Sequence, residues 1–118
     1  MLPKPLKVST AEKNKAKADE LRRLNRLVWE RDSGQCVVCG SGRIFGVRGQ
    51  TGAHHILSRN AHPAQRLDVK NLVLLCHQCH ENANTEAMVR KLFATLAERH
   101  KYDYSDLPYR YYKEKNEN

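Results

Sequence analysis

Residues 71–80 read Asn71-Leu-Val-Leu-Leu-Cys-His-Gln-Cys-His80, a continuous apolar run that delivers the chain to a Cys-x-x-Cys pair and a histidine. Leu72 to Leu75 suits a short buried strand, because an uninterrupted apolar run has no solvent face. Cys76 and Cys79 then present two thiolates from one tight turn. A matching knuckle, Cys36-Val-Val-Cys39-Gly40, lies upstream, and these four are the only cysteines of the chain. Two such knuckles complete the tetrahedron that zinc prefers, which predicts a closed structural Zn²⁺ site of Cys36, Cys39, Cys76 and Cys79. A redox dithiol or free buried cysteines explain two matched knuckles poorly. His77 or His80 can each replace a cysteine on the ion, and four thiolates remain the simplest set. The long interval between Cys39 and Cys76 exceeds that of a compact zinc ribbon, so the intervening segment is expected to carry function.

Working outward, Thr10 is a candidate cap for a helix from Ala11 to about Arg31, which lacks Gly and Pro and repeats Leu21, Leu24 and Val28. Its first half is mainly Lys, Ala and Glu and is expected to project into solvent. Asp32-Ser33-Gly34 is the stop and turn. The glycine-rich stretch from Gly40 to Gly52 reads as an irregular or hairpin-like basic loop, Ala53 to Leu57 as a short strand, and Ser58 to Lys70 as loop. Met88, Leu92 and Leu96, beside Val89 and Phe93, predict one long helix over roughly His80 to His100. The expected organisation is a basic arm at 1–10, a domain at 11–100 with its core at 27–85, and a tyrosine-rich charged tail at 101–118.

The chain has 118 residues, of which 40% are hydrophobic, and its mean hydropathy is −0.75. That permits one domain with a small core, the kind that needs a metal staple. The expected class is therefore small α+β, zinc-stabilised. Lys and Arg exceed Asp and Glu to give a net charge of +8, which favours a polyanionic partner, nucleic acid first. No apolar run is long enough for a membrane span, and the opening Met-Leu-Pro-Lys-Pro lacks a signal-like apolar region. A cytoplasmic protein is expected, in agreement with thiolates that stay reduced.

Between the knuckles stand Ala53-His54-His55-Ile56-Leu57 and Asn71, and His80 follows the second knuckle. In this order, with both Cys-x-x-Cys pairs, the segment from about Leu27 to Thr85 resembles the HNH endonuclease family. The resemblance implies a ββα-metal finger, here with an N-terminal helix and a C-terminal helix plus tail. It also implies metal-dependent hydrolysis of DNA phosphodiesters, with 5′-phosphate and 3′-hydroxyl ends. His55 matches the general base, His54 a metal ligand, Asn71 the middle asparagine, and His80 the final histidine. Asn71 is either an organiser of the loop or a ligand, and Asn84, one helical turn after His80, is a further candidate ligand. Many relatives carry Asp at the position of His54; an imidazole there shifts the expectation from Mg²⁺ toward Mn²⁺, Ni²⁺ or Zn²⁺.

These roles also follow from the chemistry, since phosphodiester cleavage needs a deprotonated water and a cation for the developing charge. An imidazole accepts a proton near neutrality. One geometric demand stands out: adjacent strand residues point to opposite faces, so His54 and His55 share a site only if the strand twists or ends there. Arg22, Arg23, Arg26, Arg43, Arg48 and Arg59 are candidate backbone-phosphate contacts, which bind without specifying sequence. The resemblance makes a phage or bacterial source and a phage or host protein partner plausible. The competing reading is a noncatalytic, zinc-dependent DNA-binding module.

Overall fold

A computed structural model describes residues 9–45, 53–106 and 108–110. Helix α1 spans Thr10–Arg31. Its cap is Ser9 rather than Thr10: the Ser9 side chain accepts from the Glu12 backbone N–H at 3.1 Å. Ser9 and Glu12 have the spacing of a capping box, which decides between two adjacent hydroxyl residues. The first turns are exposed, whereas Leu24 and Val28 are buried. The helix ends in a turn with Gly34 at φ +65, where an added Cβ would lie 2.9 Å from the Trp29 ring. Only glycine fits both the left-handed backbone and that approach.

A polar hub fastens this helix end to the rest of the chain. Arg31 holds Asp32 through Nε at 2.8 Å and through a second nitrogen at 3.0 Å, and also donates to the Val69 and Leu72 carbonyls at 3.0 and 2.6 Å. Asp32 accepts from the Leu74 N–H at 3.1 Å. Its side chain is 1% exposed and that of Arg31 10%, so this ion pair stands largely outside solvent. Reading Asp32 as a simple helix stop missed this cross-link.

Strand β1 (His54–His55) pairs antiparallel with β2 (Leu72–Val73), His54 opposite Val73 and His55 opposite Leu72. Both strands are shorter than the expected 53–57 and 72–75 because the ladder changes partners. Leu74 and Leu75 give their carbonyls to Val37 and Phe45 at 3.1 and 2.8 Å, and Ile44 bridges Cys76. The apolar run thus connects β1 on one side to the first knuckle on the other, and Leu72 to Leu75 are all buried. The expected loop 58–70 contains two single-turn 3-10 helices, at Pro63–Gln65 and Val69–Asn71.

The expected long helix is two: α2 (His77–Glu81) and α3 (Glu86–His100). Asn82 ends the first, and the Thr85 hydroxyl starts the second by accepting from the Met88 N–H at 3.2 Å. Two polar residues with strong capping preferences overrode the apolar period. Val89, Leu92, Phe93 and Leu96 of α3 enter the core, joined by Tyr104 and Tyr109. Tyr104 and Tyr109 lie 4.9 and 5.3 Å from the Phe93 ring, and their hydroxyls donate to the Lys70 carbonyl and the Asp68 carboxylate at 2.7 and 2.9 Å. The described part of the tail therefore closes over the turn that leads to Asn71. No helix among the described residues is long and apolar enough to cross a membrane.

Candidate metal centres and cleft

The two knuckles converge. Sulfur atoms of Cys36, Cys39, Cys76 and Cys79 all lie within 4.8 Å of one another, and Cys39 Sγ is 3.5 Å from Cys76 Sγ. A disulfide needs about 2.05 Å; a zinc tetrahedron with bonds of about 2.3 Å needs sulfurs roughly 3.8 Å apart. The donor set thus fits zinc. The first knuckle is shaped by the Gly40 N–H donating to the Cys36 carbonyl at 2.9 Å, with Gly40 at φ +80. Burial pushes the Cys36 thiol up, yet backbone donors from Cys39, Cys76 and Val38 outweigh it and bring it to about 7. Burial, then the neighbouring Cys76, Cys36 and Cys39, push the Cys79 thiol up.

Beside this clip lies a cleft of about 430 Å³ whose walls include His54, His55, His80, Arg59, Asn84, Asn25 and Phe45. The expected histidines therefore meet. The strand ends at His55, which provides the distortion that two adjacent residues require to serve one cleft. His54 and His80 stand ring to ring, 5.0 Å apart and nearly perpendicular. His54 Nε2 is buried and has no hydrogen-bond partner among the described residues. Burial, then the neighbouring His80 and His55, lowers His54 to about 4, so its lone pair is free at neutral pH. A neutral, desolvated imidazole facing a second imidazole suits a borderline transition-metal ion, and the residues fit such a group.

His55 is held differently. Its Nε2 lies 3.0 Å from the Arg66 carbonyl. A carbonyl only accepts, so Nε2 carries the proton of the neutral ring and Nδ1 keeps the lone pair. Burial keeps His55 below the ordinary imidazole value, against the raising effect of that carbonyl and together with the charges of Arg59 and Arg66.

Asn71 does not line the cleft. It is fully buried, accepts from the Leu57 N–H at 2.7 Å, and donates to the Leu57 and Gln65 carbonyls, each at 3.1 Å. Its oxygen is thus committed to the backbone. The carbonyl that it steadies at Gln65 precedes the one that holds His55. Asn84 is exposed on the cleft wall.

Sequence reasoning missed Phe45, which stacks on His80 at 3.8 Å and 8° and meets His77 edge-on at 5.1 Å. Its single flag was an aromatic residue stranded in a polar loop. It also missed Asn25, the one amide within the apolar stripe of Leu21, Leu24 and Val28. Among the candidate phosphate contacts, Arg59 lines the cleft. Arg22 pairs with Asp19, and Arg23 with Glu20 at 2.5 Å, on the exposed face of α1. Arg26 and Arg43 are exposed away from it, and Arg48 lies outside the described residues.

Residues 36–86 match the family model described as HNH endonuclease. This stretch of the chain is similar to an HNH endonuclease domain. The HNH segment holds both knuckles, β1, β2 and α2, together with every histidine of the cleft. Helix α1, nearly all of α3 and the tail lie beyond it. Comparison with curated proteins and with solved structures gives no significant match.

Proposed function

We propose that this protein is a metal-dependent DNA endonuclease that hydrolyses phosphodiester bonds. The observation that carries the reading is the meeting of His54, His55 and His80 in one cleft, with a buried nitrogen on His54 that has no partner among the described residues. His55 Nδ1 takes the proton of the attacking water, its ring held by the Arg66 carbonyl. His54 and His80 hold a divalent ion, Mg²⁺, Mn²⁺, Ni²⁺ or Zn²⁺. Bound there, such an ion supplies charge neutralisation for the phosphate and the departing 3′ oxygen. Asn71 organises rather than ligates, and Arg59 meets the phosphate from the cleft wall. The structural Zn²⁺ of the four cysteines belongs to a separate site, and its thiolates favour a reducing, cytoplasmic setting.

The test is conversion of supercoiled plasmid to nicked or linear DNA with each ion. Wild type cuts, and His55→Ala loses about 10²-fold or more, as expected for a general base. No cutting with any ion, or equal cutting by His55→Ala, overturns the mechanism. The second reading, a noncatalytic zinc module that binds DNA, is favoured by the cysteine cluster being complete without any cleft residue; it predicts DNA binding without cleavage.

A further inference from the structure

Helix α1 lies outside the HNH segment, yet it forms one wall of the same cleft through Leu21 and Asn25. Asn25 occupies the helix stripe that faces the core, one turn before Val28 and one turn after Leu21, where an apolar side chain is expected. Its Oδ1 is buried without a hydrogen-bond partner among the described residues. A buried amide oxygen left unpaired is costly, and of the four side chains among the described residues with such an atom, the two that line this cleft are Asn25 and His54. One comes from the added helix and the other from the HNH finger. Both orphaned atoms are of kinds that ligate a cation: the first is a carbonyl oxygen, the second an imidazole nitrogen. Two such groups on residues that line one cleft offer donors to a cation, beside the Arg59 guanidinium that would meet the phosphate.

We propose that Asn25 completes the catalytic metal site, its Oδ1 facing the ion held by His54 and His80, either directly or through a water. The assignment rests on the nuclease reading above and adds to it a residue supplied from outside the family segment. It gives α1 a chemical role: the Arg31–Asp32 hub anchors the helix end, and two turns earlier the same rigid element delivers an oxygen to the cleft. It also adds an oxygen donor to a pair of imidazoles, which widens the usable ions toward Mn²⁺.

The experiment uses full-length protein loaded with zinc at the cysteine site and titrated with Mn²⁺, free ion being followed by its electron paramagnetic resonance signal. Wild type, Asn25→Ala, Asn25→Asp and His54→Ala are compared, with unchanged melting required of the Asn25 variants. Asn25→Ala weakens Mn²⁺ about tenfold, within the 10- to 100-fold range for groups that support a metal. Asn25→Asp, which keeps the oxygen and adds charge, binds at least as tightly as wild type. Equal Mn²⁺ affinity in wild type and Asn25→Ala, while His54→Ala weakens it, overturns the role of Asn25 and leaves the nuclease reading standing. Indifference of His54→Ala as well overturns both. If Asn25→Ala instead weakens only metal-free DNA binding, the amide nitrogen faces a phosphate and the metal assignment is wrong.

Discussion

Replacing Asn71 by alanine removes three hydrogen bonds, at 2.7, 3.1 and 3.1 Å, from a side chain with no solvent exposure. Two of the abandoned groups are the N–H and carbonyl of Leu57, a residue 2% exposed, which water reaches poorly. Each buried group left unpaired costs about 1–3 kcal/mol. Leu57 alone therefore accounts for roughly 2–6 kcal/mol, a large share of the about 5–15 kcal/mol that holds a domain together. Asn71→Asp separates polarity from shape. The retained oxygen still accepts from Leu57 N–H, whereas the other now faces two carbonyls that also only accept. The introduced carboxyl is thereby pushed above its ordinary value. Its penalty is greatest above the folded-state pKa and shrinks as pH falls through it, since the protonated acid can donate again. Urea denaturation of the zinc-loaded variants at pH 7.5 and 5.5, each against wild type, measures both effects. A loss below about 1 kcal/mol for Asn71→Ala, or an Asn71→Asp penalty that does not shrink on acidification, refutes the organising role.

Three further outcomes are expected. Exhaustive chelation, or Cys76→Ala, lowers the melting temperature steeply or abolishes cooperative melting, because formation of the cysteine site is coupled to folding; unchanged melting argues against structural zinc. Asp32→Ala leaves the Arg31 guanidinium and the Leu74 N–H without their partner and costs about 3–5 kcal/mol, read by denaturant midpoint. A value typical of a surface pair, under about 1 kcal/mol, contradicts the buried hub. His54 is lowered to about 4, so protein free of a cleft ion loses stability as pH falls from about 6.5 toward that value and levels off below it. Above the unfolded pKa that contribution is fully present. His54→Gln removes this part of the acid dependence while the zinc contribution stays common to both proteins, and identical pH profiles would falsify the assignment.

Much of the site could be read from residue types and order. Cysteine pairs, an adjacent histidine pair, Asn71 and His80 carry ligand and acid–base chemistry in their side chains, and the apolar run 72–75 announced a buried strand. Element boundaries were less legible. One long helix over 80–100 fitted the apolar period, yet Asn82 and Thr85 divide it, because local capping energy competes with packing over just a few residues. The strand pair shortened because carbonyls of Leu74 and Leu75 found partners in the first knuckle, a choice that depends on how two distant segments meet.

What the sequence by itself determined is the chemistry available: four thiolates, imidazoles and a basic balance, all properties of single residues or short spacings. The tertiary structure decided their use. It turned Asn71 inward onto Leu57 and Gln65, fixed which nitrogen of His55 keeps its lone pair, left His54 Nε2 without a partner among the described residues, and brought Asn25 of α1 to the cleft. Each depends on burial and on partners far along the chain, such as Leu57 for Asn71 and the Arg66 carbonyl for His55. Desolvation and hydrogen-bond geometry exist only once the chain has folded.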